Sequence, residues 1–375
     1  MIGEKGAAAM ATIRQLSDLG QAVWLDYIRR SFVRDGELQR WIDEGVRGVT
    51  SNPTILEKAI DGSNDYDGQL ESLARGGKPP DEIYEEMVAD DIAGAADLFR
   101  PVYEREGDGF VSLEASPAFA HDTEGTVTSA RHLFSKLSRP NVFIKVPATR
   151  EGFPAIERLI SEGVNVNITL IFSLAQYEAS AEAYIAGLEK RLAEGKHISY
   201  VASVASFFVS RVDTAVDKAL EKAGNSDLRG TIAVANAKLA YARFKEIFSG
   251  ARWEKLAASG AKVQRPLWAS TSTKNPGYRD TLYVDELIGP YTVNTLPPAT
   301  LEAFLDHGTA APTLETGVGE ARARTGRLAE LGISLDEITE ELTVQGVELF
   351  AKSFETLMAS IAEKRRRLRE PSRIG

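Results

Sequence analysis

The sequence predicts an α/β protein: a (β/α)8 TIM barrel with additional helices and a C-terminal helical extension. Short apolar runs rich in β-branched residues alternate with longer segments of helical period, and the alternation repeats about eight times, which favours closure of a parallel sheet. No GxGxxG or other Gly-rich phosphate loop opens the first unit, as a doubly wound dinucleotide fold would require. One large barrel with extra helices accounts for all 375 residues. Residues 1–375 are read as a single domain, with the barrel core over about 20–310 and the helical extension over about 311–370.

The strand candidates are, in order, "AVWLD" (22–26), "GVTSN" (48–52), "FVSLEA" (110–115), "VFIKVPA" (142–148), "VNVNITLIF" (164–172), "YVASVAS" (200–206), "PLWASTST" (266–273) and "YTVNTL" (291–296). Helical segments separate them. The stretch "SLAQYEASAEAYIAGLEKRLAEG" after the fifth strand carries Lys190 and Arg191 in its last turn and then Gly195, a C-terminal signal. Between the second and third strands, 81–107 reads as a long amphipathic helix, an elaboration of the barrel. Beyond the eighth unit, Ser334 and Glu337 form a capping-box pattern. Val347, Phe350, Phe354, Leu357 and Ile361 then recur at three- and four-residue steps, giving an apolar face that packs on the barrel or on another subunit. The basic run Lys364 to Arg367 is read as complementing that helix's C-terminus.

Composition excludes several classes. With 43% hydrophobic and 26% charged residues, the chain resembles ordinary globular proteins. A formal charge of −10 is wrong for a general nucleic-acid binder. The absence of cysteine removes disulfides and thiolate metal sites, and suits the cytoplasm. No secretory h-region opens the chain and no apolar run approaches the roughly 20 residues that span a bilayer, so the expectation is a cytoplasmic protein with no membrane partner. His121, His132, His197 and His307 lie away from the strand ends without ligand spacing, so no metal is expected.

The strands carry a signal beyond their number. Strands of a barrel are covered outside by helices and filled inside by side chains, and should read as almost continuously apolar. Here polar residues fall on one parity. In the fourth strand Val142, Ile144 and Val146 share one face, Phe143 and Lys145 the other. The same alternation sends Val23 and Leu25 outward and Asp26 inward, and Val111, Leu113 and Ala115 outward with Ser112 and Glu114 inward. In the fifth strand Val166, Ile168 and Leu170 go outward and Asn165, Asn167 and Thr169 inward. One lysine, two carboxylates and several amides and hydroxyls thus converge near the C-terminal ends of strands, the catalytic end of such barrels.

Each residue has a plainer reading. Lys145 in isolation suits a solvent-facing edge strand, but a closed barrel has no edge. Desolvation favours the neutral, nucleophilic form of an amine, which adds to ketones as a Schiff base. Asp26 is a turn residue or a proton shuttle, and Glu114 is an ion-pair partner for Lys145 or part of the chemistry. Asn52 before Pro53 is a common turn context. Asn167 to Thr169 matches a glycosylation acceptor, which burial in a strand contradicts. Arg211, five residues past Ser206, and Lys274 in "STSTKNPG" are phosphate ligands or surface cations.

The motifs "VWLD", "GVTSNPTI", "SLEASP", "FIKVPAT", "VNVNITLIFS" and "SFFVSRVD", in this order, resemble the transaldolase family over most of the chain. The resemblance implies that Lys145 forms the imine and that Asp26 is the acid/base at the carbon–carbon bond. Glu114 and Thr169 would manage the water of imine formation. Asn52, Asn167 and Ser206 would hold donor hydroxyls, and Arg211 the phosphate. Many members carry an arginine after the seventh strand where this chain has "STSTKNP", so Lys274 takes the place of second phosphate ligand. The chain also runs longer beyond about residue 310 than compact members do. The implied function is transfer of a dihydroxyacetone unit between sugar phosphates in the pentose phosphate pathway. No cofactor or metal is implied, sugar phosphates are the partners, and the chain would act as a monomer or homodimer. The alternatives are a Schiff-base aldolase releasing free dihydroxyacetone and a catalytically silent sugar-phosphate-binding barrel.

Overall fold

A computed structural model describes residues 12–369. Eight parallel strands form a closed barrel in the order β1 to β8: β1 Gln21–Leu25, β2 Gly48–Thr50, β3 Phe110–Glu114, β4 Val142–Pro147, β5 Val166–Ile171, β6 Ser203–Phe208, β7 Arg265–Ala269 and β8 Thr292–Leu296. Every neighbouring pair is parallel, and closure comes from five residue pairs between β1 and β8, Gln21 with Thr292 through Leu25 with Leu296. The expected α/β barrel is therefore present. The sixth strand differs in extent: 200–206 was expected, yet pairing starts at Ser203 and continues through Phe207 and Phe208, which match Trp268 and Ala269 of β7. Tyr200 sits before the barrel wall, 46% exposed.

The interior is layered. At the N-terminal end of the strands, Trp24, Phe110 and Phe143 form an aromatic floor, with Phe110 and Phe143 stacked 4.3 Å apart. Gly48 on β2 makes room for it, since a Cβ there would lie 2.6 Å from the Trp24 ring. Below, Asp108 accepts from Trp24 Nε1 at 3.2 Å and pairs with Arg265 at 2.8 Å, closing the base of the barrel. Above the floor, Asn167 Nδ2 donates to Ser112 Oγ at 3.1 Å and Ser206 Oγ donates to Asn167 Oδ1 at 2.6 Å. Because β3 and β5 are separated by β4, the first of these bonds can only cross the interior, and it fixes the inward parity of Ser112 and Asn167.

One expected site neighbour lies lower than the rest, and one expectation about parity needs correcting. Asn165 precedes β5 and satisfies neighbouring backbone: its amide donates to Pro140 O and Val142 O, and its oxygen accepts from Ala202 N–H. It belongs to the strand's lower end, away from the mouth. Leu170 was assigned to the outer face, but the β5–β6 register shifts between Ile168 and Ile171, and Leu170 takes φ +58°. The bulge re-aims its side chain, which meets Gly346 of the last helix.

The long helix after β2 spans Pro80–Glu106, close to expectation, and is preceded by Pro53–Asp61 and Asp67–Arg75. Leu174–Ala193 begins with a capping box between Ser173 and Gln176. The last helix, Leu335–Arg369, starts after Ser334, whose Oγ accepts from Glu337 N–H at 3.2 Å. It crosses the barrel mouth. Val347, Phe350, Leu357 and Ile361 are buried beneath it, and Phe354 meets Tyr84 edge-on at 5.2 Å. Thr54 with Ser353 and Gln176 with Thr343 add polar ties to the barrel. The basic run lies in the last two turns of this helix, as expected. Lys364 also donates to Ile60 O at the C-terminal turn of Pro53–Asp61, and Arg365 donates to Gly77 O.

Candidate active site

Lys145 is placed by strand pairing. It lies beside Glu114 on β3 and Asn167 on β5, and its side chain rises from the hydroxyl–amide layer into the mouth. Its ammonium donates to the carbonyl of Ser51 at 3.0 Å and lies 3.3 Å from Glu114 Oε2, without the alignment of a hydrogen bond. Both side chains of the pair are 6% exposed, so their charges are almost wholly taken out of water. Burial raises the pKa of Glu114, an effect that Lys145 opposes and Asp26 reinforces. Phe350 of the last helix roofs the ammonium, its ring centroid 5.9 Å away.

Asp26, one residue beyond β1, accepts from Thr50 Oγ1 at 2.8 Å. It retains contact with the cavity, yet desolvation raises its pKa despite the attraction of Lys145 and the Thr50 hydrogen bond. Thr169, next along β5 on the inward parity, has a buried hydroxyl with no protein partner among the described residues. Such a group in a polar cavity is available to water or substrate.

A cavity of about 320 Å³ joins these residues: Asp26, Asn52, Lys145, Thr169, Ser206, Arg211 and Lys274 all line it, with Phe350 and Leu349 closing it from above. Glu114 reaches the same ammonium from the β3 side, and Asn167 supports Ser206 from below. Asn52 serves two ends: its oxygen accepts from Ile55 N–H and so caps Pro53–Asp61, while the residue faces the cavity. Arg211 lies three residues past the end of β6, in the first turn of Ser210–Lys222. Ser270, at φ +57° after β7, anchors that turn by accepting from Ser210 N–H at 3.0 Å. Burial lowers the Arg211 pKa, and Lys274, on the rim, is lowered by partial burial and by Arg211. Two cations share one end of the cavity, as an anion site requires.

Sequence reasoning missed Thr50, the Ser51 carbonyl, the roof from Phe350 and Lys58, which also lines the cavity. Thr50 closes "GVT" on the same parity as Gly48, so the alternation rule held the signal. Phe350 was assigned to a packing face, and only the path of the helix makes it part of the site. A larger cavity of about 570 Å³ lies between the end of β3, Pro80–Glu106 and the helix Thr123–Leu137. It meets Glu114 but holds neither Lys145 nor Asp26, so the smaller cavity is the chemical one. Among the described residues no cluster of three or more His, Asp or Glu side chains is arranged to hold a metal ion, and no helix is long and apolar enough to cross a membrane.

Fold and cavity together define a (β/α)8-barrel enzyme whose buried lysine sits between acidic side chains at the C-terminal ends of the strands. A family model for Transaldolase/Fructose-6-phosphate aldolase matches residues 23–361. The chain belongs to that family. It is 51% identical over 359 residues to a Transaldolase of Parafrankia sp., covering 94% of this chain and 97% of the relative. It is 50% identical to a Transaldolase of Thermobifida fusca (94% and 98% covered) and 47% identical to Transaldolase 2 of Nostoc punctiforme (93% and 96%).

Proposed function

We propose that this chain is a transaldolase moving a dihydroxyacetone unit from fructose 6-phosphate or sedoheptulose 7-phosphate to an aldose phosphate through an imine on Lys145. The observation that carries the reading is the isolation of the Lys145 ammonium in the barrel mouth, 3.3 Å from Glu114 and in one cavity with Asp26. Relatives of nearly the same length carrying that name support it.

In this reading the Lys145 ammonium first passes a proton to the Glu114 carboxylate 3.3 Å away, and the neutral amine adds to the C2 ketone of the donor. Glu114, whose burial favours the acid form, delivers a proton as water leaves, with the free Thr169 hydroxyl positioning that water. The imine withdraws electrons from C3. Asp26 takes the proton from the C4 hydroxyl, the C3–C4 bond breaks, and its electron pair moves into an enamine on Lys145. The aldose phosphate departs, an acceptor aldehyde takes its place, and the steps reverse. Asn52 and Ser206 hold donor hydroxyls, Asn167 orients Ser206, and Arg211 with Lys274 holds the phosphate. We place the reaction in the cytoplasm.

Incubation with fructose 6-phosphate followed by borohydride should add a reduced dihydroxyacetone unit to the peptide containing Lys145. With erythrose 4-phosphate present, sedoheptulose 7-phosphate should form faster than free dihydroxyacetone appears. Label on another residue overturns the assignment; release outpacing transfer favours an aldolase.

A further inference from the structure

Beside the catalytic cavity lies a second hollow of about 610 Å³, between Ser210–Lys222 and the first turns of Leu335–Arg369. It shares Arg211, Lys274 and Leu349 with the catalytic cavity, so the two adjoin at the phosphate end. Its charge is one-sided: Arg211, Lys218, Lys222 and Lys274 line it against Glu341 as the only carboxylate. In a chain of formal charge −10 such a wall stands out.

The helix builds this wall by spacing. Residues 211, 215, 218 and 222 follow three- and four-residue steps and share one face. From Arg211 to Lys222 the rise is about 16 Å at 1.5 Å per residue. Lys218 and Lys222 are exposed, and neither has a carboxylate within ion-pair distance among the described residues. The carboxylates of the same helix are directed elsewhere: Asp213 accepts from Ala233 N–H and Tyr283, and Asp217 from Gly230 N–H and Tyr278. These two and Glu221 line the neighbouring hollow, which also meets Lys218 and Lys274, and none of the three lines the basic one. Lys222 also lies in the last turn, where the helix dipole favours a cation, but Lys218 lies a turn earlier. A row of unpaired cations leading to a covered anion site raises the local concentration of anions there.

We propose that this hollow is the encounter site for phosphorylated substrates: Lys218 and Lys222 capture the phosphate group, which then passes Leu349 to Arg211 and Lys274. The inference rests on the sugar-phosphate reading of the active site. The test compares Lys218→Glu/Lys222→Glu with a control of equal charge change, Lys190→Glu/Lys255→Glu, exposed lysines on other helices. Initial rates are measured with fructose 6-phosphate and either erythrose 4-phosphate or unphosphorylated D-glyceraldehyde as acceptor, at about 20 mM and about 500 mM salt.

The charge-reversed pair should lose roughly ten-fold or more in kcat/KM for erythrose 4-phosphate at low salt, with the loss carried by KM. The gap should close at high salt, and the preference for the phosphorylated acceptor should fall. Equal losses in the control pair, or a loss that persists at high salt and extends equally to D-glyceraldehyde, would overturn the proposal. A wild-type protein without turnover sinks the functional reading separately. The hollow is then judged by equilibrium binding of fructose 6-phosphate, which the charge-reversed pair must weaken at low salt and the control pair must not.

Discussion

Gly346 tests how the last helix is seated on the barrel. A Cβ on Gly346 would lie 2.9 Å from Leu170 Cδ2, 3.4 Å from Cδ1 and 3.6 Å from Cγ. Carbon contacts are optimal at about 3.5–4.0 Å, so the nearest pair must separate by roughly 0.6–1 Å. Leu170 is 1% exposed and anchored on a bulge at φ +58°, which limits its retreat. Alanine in a helix interior gains about 1 kcal/mol over glycine, whereas overpacking costs about 1–3 kcal/mol. Gly346→Ala should therefore be neutral to about 2 kcal/mol destabilising. Gly326, inside the helix Val318–Glu330, supplies the control: nothing lies within 4 Å of its added Cβ, so Gly326→Ala should stabilise by about 1 kcal/mol. Urea unfolding of both variants isolates the clash as their difference. If Gly346→Ala stabilises as much as Gly326→Ala, the close seating of the helix on Leu170 is wrong. A larger residue, Gly346→Leu, should lift Phe350, one turn on, from Lys145 and slow imine trapping.

Lys145→Met should abolish borohydride trapping while circular dichroism keeps the barrel signature, since an apolar chain of similar length replaces a buried charge; retained labelling would refute the nucleophile assignment. Asp26→Asn should still form the imine but lose roughly 10²–10⁴-fold in carbon–carbon cleavage, seen as trapped donor without released aldose phosphate. The same variant should be more stable than the wild type at neutral pH. Burial raises the Asp26 pKa in the fold, so its contribution is present at low pH and is lost as pH climbs from the unfolded value through the raised folded one. Asp213, pushed up to about 7 by burial, follows the same sign. Relative to the wild type, Asp213→Asn should gain stability between about pH 4 and 7 and plateau above; a flat difference in urea melts across that range refutes it. Tyr283, Asp217 and the backbone of Ile232 and Ala233 face this carboxyl, and Asp217 adds to the rise.

The barrel was legible because its signal is local and repeated: each strand announces itself by composition, and eight repeats leave little choice but closure. The chemical residues were legible for a different reason. Lys145, Glu114, Asn167 and Thr169 occupy inward positions that an inert core would fill with Val or Leu, so the parity rule exposes them without any long-range information. The rule failed where the strand stopped being regular. Leu170 sits in a bulge and leaves the alternation, while Asn165 lies before β5 begins and is taken up by neighbouring backbone. Phe350 was expected on a packing face and Lys364 near a helix end, but their further roles, roofing Lys145 and binding Ile60 O, depend on where a helix of 35 residues crosses the barrel, which its apolar stripe does not specify. Arg211 was found by its distance from Ser206, although the helix turn that aims it depends on Ser270, sixty residues downstream.

The layering of the barrel explains why the lysine sits where it does. Aromatic rings fill the floor, so water cannot reach the site from below, and Asp108 with Arg265 seals that end. The next layer, Ser112, Asn167 and Ser206, is bonded to itself across the interior, which spends its polarity without exposing it. Above that layer three unspent groups gather around one point: Glu114 Oε2 without a hydrogen bond, Thr169 Oγ1 without a partner, and an ammonium held by one carbonyl and one carboxyl. Each is destabilising in an inert core, because buried polar groups cost free energy when unpaired. Their concentration at one height, beneath a roof supplied by Phe350, marks the plane at which a substrate carbonyl and its departing water complete the hydrogen bonding that the protein leaves open.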